Sequence, residues 1–160
     1  MDDFLPMHPT ALKFGIPDLE LGCSSGTKVN PASFAGHELI ALFCPLDPAA
    51  AGQEIATYRK HCAEFVERDA WLLTFAEDFG DLSLEGVERV LMISDPERRA
   101  WVAFRNLTAH PQEMDRDSGA TFLFTRGGGL HRYWHGAGHV EDVLSELRIP
   151  ASQHPHQLAR

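Results

Sequence analysis

Apolar positions along this chain fall into short unbroken runs, separated by polar stretches rich in proline and glycine. The first full run, residues 39–44, reads as a buried strand. Pro45, Asp47 and Pro48 end it. Ala51, Ile55, Tyr58, Cys62, Phe65 and Val66 then recur at helical spacing and predict one long amphipathic helix. Residues 70–75 give a second buried strand and residues 90–93 a third. These are runs rather than strict alternations, which suits a sheet covered on both faces. Asp95-Pro96-Glu97 predicts a helix start, with Asp95 as N-cap and Pro96 at the first helical position. Ala100, Trp101 and Phe104 form the apolar face of that helix. Residues 120–125 and 130–134 flank Arg126-Gly127-Gly128-Gly129 as a β-hairpin. Val140, Val143, Leu144 and Leu147 predict a last amphipathic helix, with Glu141 and Asp142 in its first turn, Arg148 in its last, and Pro150 after it.

Weaker patterns fill the gaps. Residues 15–21 alternate and predict a short strand, residues 29–36 a short strand and a helical turn, residues 82–88 a short helix, and residues 108–119 a polar loop. The predicted order is a short β element followed by βαβαβαββα. Strands interleaved with helices imply an α/β fold whose central sheet carries helices on both faces, and the terminal hairpin makes that sheet mixed. Residues 13–150 form the expected domain, residues 1–12 an N-terminal arm and residues 151–160 a flexible C-terminal tail.

Composition narrows the classes. The chain has 160 residues, 44% of them hydrophobic and 23% charged, enough for one domain with a real core. A net charge of −9 argues against nucleic acid and anionic membrane surfaces as partners. No apolar run approaches the roughly 20 residues that span a bilayer. The opening MDDFLPMHPT lacks a basic region followed by an apolar stretch, so no export signal is read and a cytoplasmic location is expected. Cys23, Cys44 and Cys62 are too few and too scattered for a disulfide framework and read as free thiols.

The loop from Pro45 to Glu54 joins a strand to a helix, where α/β proteins usually place their chemistry. Cys44, at the strand end beside it, has two readings. It is a reactive thiol if a neighbour lowers its pKa or supplies a base, or a small buried residue at a strand end. Cys62 falls on the apolar helix face and Cys23 in a Gly/Ser-rich turn. Asp47 and Glu54 flank the loop, Glu54 as a helix N-terminal acid favoured by the dipole. His131 and His135 lie four apart on a predicted strand, which places them on one face with His139 just beyond. Exposed or capping histidines are the expectation, and no metal site. Gly127-Gly128-Gly129 precedes a strand rather than a helix, so it is a turn and not a phosphate cradle. Trp71, Trp101 and Trp134 are read as packing residues.

Four stretches in order resemble one family. Gly15-Ile16-Pro17-Asp18-Leu19-Glu20-Leu21 looks like an opening G-x-P-A/D-F-x-L. Leu42-Phe43-Cys44-Pro45-Leu46-Asp47 resembles F-Y-P-x-D, and Ile93-Ser94-Asp95-Pro96 resembles S-D-P before a helix. Thr121-Phe122-Leu123-Phe124 through Trp134-His135-Gly136 resembles T-F-x-I…G-x-I-R-Y…G. Over residues 14–148 the chain is therefore similar to the peroxiredoxins, the alkyl hydroperoxide reductase / thiol-specific antioxidant family. The resemblance implies a thioredoxin-like fold and peroxide chemistry at a loop P-x-x-x-T/S-x-x-C. In that loop the cysteine becomes sulfenic acid, the hydroxyl positions peroxide, and an arginine ahead of the T-F strand polarises it.

Counted from Pro45, the hydroxyl position is Ala49 and the cysteine position Gly52. A one-residue slip that aligns Glu54 puts Ala51 at the cysteine position instead. The arginine position, two before Thr121, is Gly119. Pro45 alone matches. Two functions follow as expectations: an antioxidant thiol oxidoreductase with a degenerate site, working through Cys44, or a non-catalytic binding or regulatory domain. The resemblance further implies a homodimer, a peroxide or small-molecule ligand in the active-loop pocket, and no cofactor.

Overall fold

Two sheets organise the computed structural model, which describes residues 15–147 apart from Ser24, Ser25, Asp81, Ser83 and Glu85. The expected arm and tail, with Arg148 and Pro150, lie outside the described residues. β1 (Leu21–Gly22) and β2 (Lys28–Val29) form a small antiparallel pair. The main sheet holds β3 (Glu38–Phe43), β4 (Ala70–Ala76), β5 (Val90–Ser94), β6 (Ala120–Phe124) and β7 (Leu130–His135) in the order β5-β4-β3-β6-β7. β3, β4 and β5 run parallel, and β6 and β7 are antiparallel to their neighbours. The mixed sheet expected from the hairpin is present.

The helices are α1 (Pro48–Lys60), α2 (Cys62–Glu67), α3 (Arg99–Arg105) and α4 (Val140–Leu147). They divide between the two faces because β3 alternates in which side it feeds. Ile40, Leu42 and Cys44 pack with Ile55, Tyr58, Phe65, Val143 and Leu144, the side of α1, α2 and α4. Leu39, Ala41 and Phe43 pack with Ala100, Trp101 and Phe104, the side of α3. Every residue from Leu39 to Cys44 is at most 1% exposed, so the unbroken apolar run is a strand buried on both faces. Phe43 stacks on Phe75 with centroids 4.4 Å apart, and Phe104 meets the rings of Phe43, Phe75, Phe122 and Phe124 at 5.3–5.8 Å.

Several local expectations are corrected. The single long helix is two, broken at His61. Its N–H takes the tighter bond to the Tyr58 carbonyl at 3.0 Å, and its imidazole joins Glu64 at 3.2 Å and Glu141 at 3.7 Å. Residues 15–21 give only Gly15, bridged to Gly129, and the start of β1; Pro17 has no donor for a ladder. No helix forms over 82–88 among the described residues, where Leu84 instead turns its N–H to the Met92 sulfur at 3.0 Å and is fully buried. α3 begins at Arg99 rather than Pro96, because Arg98 adopts φ +58° and interrupts the helical path. Asp95 still caps it, from further back, by accepting from the Ala100 and Trp101 amides at 3.0 Å each. The polar segment 108–119 contains two 3-10 turns, Pro111–Glu113 and Arg116–Ser118.

Candidate functional site

The carboxyl end of β3, the start of α1 and the start of β6 meet at one end of the sheet. Asp47 is the N-cap of α1: its carboxylate accepts from the Ala50 amide at 2.9 Å. Pro48 follows at the first helical position, where its missing N–H costs nothing. The Leu46 amide donates to the Asp117 carbonyl at 3.0 Å, which ties the loop to the 3-10 turn Arg116–Ser118. Ala49 lies in the first turn of α1 and Ala51 points inward, 6% exposed. Gly52 is half-buried, and a Cβ there would sit 3.5 Å from Leu82 Cδ2, an ordinary contact. The first turn of α1, Pro48 to Ala51, carries no thiol and no hydroxyl side chain.

Cys44 lies just beyond β3 with 0% exposure. Burial pushes its thiol up to about 12, with Arg116 lowering it and Glu54 raising it by smaller amounts. At neutral pH the thiolate fraction is then on the order of one in 10⁵. Cys62 is also buried, its Sγ 3.4 Å from the Tyr58 carbonyl, and burial raises its pKa too. Cys23 is partly exposed.

Glu54 departs from its predicted role. It stands in the second turn of α1, not the first, and no acid occupies that first turn. Its side chain is buried, and both carboxylate oxygens accept from the Gly138 amide, at 3.1 and 3.2 Å. Gly138 lies two residues ahead of α4, so Glu54 anchors the N-terminal approach of that helix to α1. Desolvation raises its pKa, partly offset by the Gly138 amide and by His139. Behind it, the Tyr58 hydroxyl lies 3.4 Å from Thr121 Oγ1 in the buried interior, where its pKa is likewise raised by burial.

Gly119 has a physical reason. It adopts φ +83° and ψ 177°, a conformation essentially restricted to glycine. A Cβ there would lie 2.6 Å from the Phe43 carbonyl oxygen and 3.0 Å from Pro45 N. No arginine fits at this position. The arginine that does occupy this end of the sheet, Arg116, does not stand out from sequence. It is 3% exposed, and Nη1 donates to the Cys44 carbonyl at 2.5 Å. The available signal is a cation in an otherwise polar segment three residues ahead of a demanded glycine; counting to one fixed position passes over it.

The histidines do not assemble. A bulge between Leu123 and Phe124 shifts the pairing of β7, so His131 and His135 reach different partners. His131 meets Glu146 at 2.6 Å, the Asp115 amide donates to His135 Nε2 at 2.9 Å, and His139 meets Asp142 at 3.0 Å. No group of metal-ligating side chains converges among the described residues. Trp101 is buried, while Trp71 and Trp134 are half-buried, with Trp134 stacked beside His139 at 6.2 Å. No helix among the described residues is long and apolar enough to cross a membrane.

This architecture, with a parallel β3-β4-β5 half, an antiparallel β6-β7 half and a loop-to-helix site at the end of β3, is the thioredoxin-like fold of the peroxiredoxins. Xanthomonas campestris peroxiredoxin Q superposes with a TM-score of 0.65 at 23% identity, over 86% of this chain and 93% of that one. The mitochondrial 2-Cys peroxiredoxin of Plasmodium falciparum gives 0.68 at 15% identity, over 92% and 97%. Enterococcus faecalis AhpC gives 0.65 at 18% identity, over 91% and 94%. No family model matches the sequence, and no curated protein sequence matches it.

Proposed function

We propose that this chain is a peroxiredoxin-fold binding or regulatory domain whose peroxide-reducing site is degenerate, with Ala49 at the hydroxyl position, Gly52 at the cysteine position and Gly119 at the arginine position. One observation carries the reading: the thiol nearest the loop, Cys44, is wholly buried and its pKa is pushed up to about 12. A peroxidatic thiol needs the opposite, exposure and a depressed pKa. A small-molecule ligand at the active loop is part of this reading, and ligand-induced thermal stabilisation tests it.

The competing reading is an antioxidant thiol oxidoreductase working through Cys44. Its support is the buried guanidinium of Arg116, the largest influence lowering that thiol's pKa. Peroxide consumption by reduced wild type and Cys44→Ser separates the two. Equal, slow rates are expected; a rate abolished by Cys44→Ser overturns the binding reading. A homodimer is part of the proposal, supported by the open outer edge of β7 with its half-buried Tyr133 and Trp134. Light scattering at micromolar concentration tests it, as fractionation tests a cytoplasmic location.

A further inference from the structure

Arg116 holds hydrogen-bonding capacity that the described residues do not use. Nη1 bonds the Cys44 carbonyl, but Nε and Nη2 are buried and have no hydrogen-bond partner among the described residues. Its Cζ lies 5.6 Å from the Phe43 ring centroid and 5.8 Å from that of Trp101. Both rings belong to the α3 side of the sheet. Aromatic faces satisfy the plane of a guanidinium, not its in-plane donors.

The nearby carboxylates are committed elsewhere. Glu77 pairs with Arg98. Asp95 accepts from the Ala100 and Trp101 amides. A buried cation with two unpaired donors is strongly disfavoured without an acceptor. Nε and Nη2 share one edge of the guanidinium, and that edge matches two oxygens of a carboxylate or an oxyanion. The place also fits. Arg116 sits at the carboxyl ends of the parallel strands, beside the point where β3 has a parallel neighbour on one side and an antiparallel one on the other. Open α/β sheets bind their ligands at such points.

We propose that Arg116 is the centre of a binding site for a small carboxylate or oxyanion on the α3 side of the sheet, held by its Nε and Nη2 edge. Arg98 supplies a second cation close by. The Glu77–Arg98 pair, with side chains 31% and 43% accessible, is close enough to Arg116 for both charges to act on it. Glu77 and Asp95 limit the occupant to low negative charge by repulsion. The site does not depend on the state of the active loop and stands whether or not Cys44 reacts with peroxide.

The test uses the full chain labelled with ¹⁵N. Arginine Nε–H signals are followed while sodium acetate, sodium phosphate or sodium chloride is added at matched ionic strength, with thermal stability measured in parallel. The Arg116 signal is identified by its loss in Arg116→Lys. In wild type it is expected to shift saturably with acetate or phosphate and not with chloride, and the same anion should raise the melting temperature. Acetate alone marks a carboxylate site, and phosphate alone an inorganic oxyanion site. Arg98→Gln leaves Arg116 in place and should weaken the response about tenfold, the loss of one nearby charge-assisted contact. A wild-type Arg116 signal that responds to neither anion overturns the proposal. So does a stabilisation that a folded Arg116→Lys retains.

Discussion

Replacing Gly119 by alanine tests the geometry that closes this end of the sheet. The backbone conformation at Gly119, φ +83° and ψ 177°, costs a residue with a Cβ about 1–3 kcal/mol. The added methyl would also stand 2.6 Å from the Phe43 carbonyl oxygen and 3.0 Å from Pro45 N. Both obstacles are backbone, held in place by β3 and by the loop to α1, so neither yields as a flexible side chain would. Strain and overpacking together should cost about 3–5 kcal/mol. That is a large share of the ~5–15 kcal/mol that stabilises an ordinary domain. Gly127 supplies the control. It has φ +107°, and a Cβ added there would meet nothing within 4 Å, so Gly127→Ala carries conformational strain without the clash. Its cost should be about 1–2 kcal/mol. Urea unfolding followed by tryptophan fluorescence, with equal slopes for wild type and both variants, gives the comparison directly. A Gly119→Ala penalty no larger than that of Gly127→Ala would refute the close approach at Gly119.

Further outcomes follow from the charged groups and the core. Glu54 has a folded pKa above the ordinary 4.5, so its ionisation opposes folding. Stability relative to Glu54→Gln is fullest below pH 4.5 and declines as pH rises through the folded value; urea midpoints at pH 4 and pH 8 check this, and a gap that widens in favour of wild type at pH 8 contradicts it. Asp69, joined to His37, Arg89 and Arg126, is held down to about 2, chiefly by Arg89. Its contribution is present above 3.8 and lost as pH falls toward 2. Because Asp69 is more than a third exposed, Asp69→Asn should cost under about 1 kcal/mol at neutral pH, and less in high salt. Phe104→Ala removes a fully buried ring in contact with four others and should cost about 3–5 kcal/mol by the same unfolding assay.

Strands and layers are legible from sequence because a doubly covered sheet leaves an unmistakable trace. Residues 39–44, 70–75 and 90–93 read as buried runs, and each is a strand feeding both cores. Interruptions are less legible, since they depend on contacts made only after folding. Helical spacing continues through His61, and nothing local announces the break that Glu64 and Glu141 support. Asp95 illustrates a mixed outcome: a capping aspartate is recognisable, but the left-handed Arg98 displaces the helix it caps. In the site, the proposed loss of the hydroxyl at Ala49 and of the thiol at Gly52 rests on residue types alone and is readable without a structure. Glu54 reaching Gly138, and Arg116 reaching the Cys44 carbonyl, join positions 84 and 72 residues apart and cannot be read from neighbours in the chain.

The central claim is that this peroxiredoxin fold carries no reactive thiol at its loop. Oxidation of the reduced protein by hydrogen peroxide at neutral pH, followed at Cys23, Cys44 and Cys62 by mass spectrometry, tests it most directly. Slow oxidation confined to the partly exposed Cys23, with Cys44 and Cys62 unmodified until the protein unfolds, is the predicted result. Rapid, selective sulfenic acid at Cys44 would contradict it and make that thiol the catalytic centre.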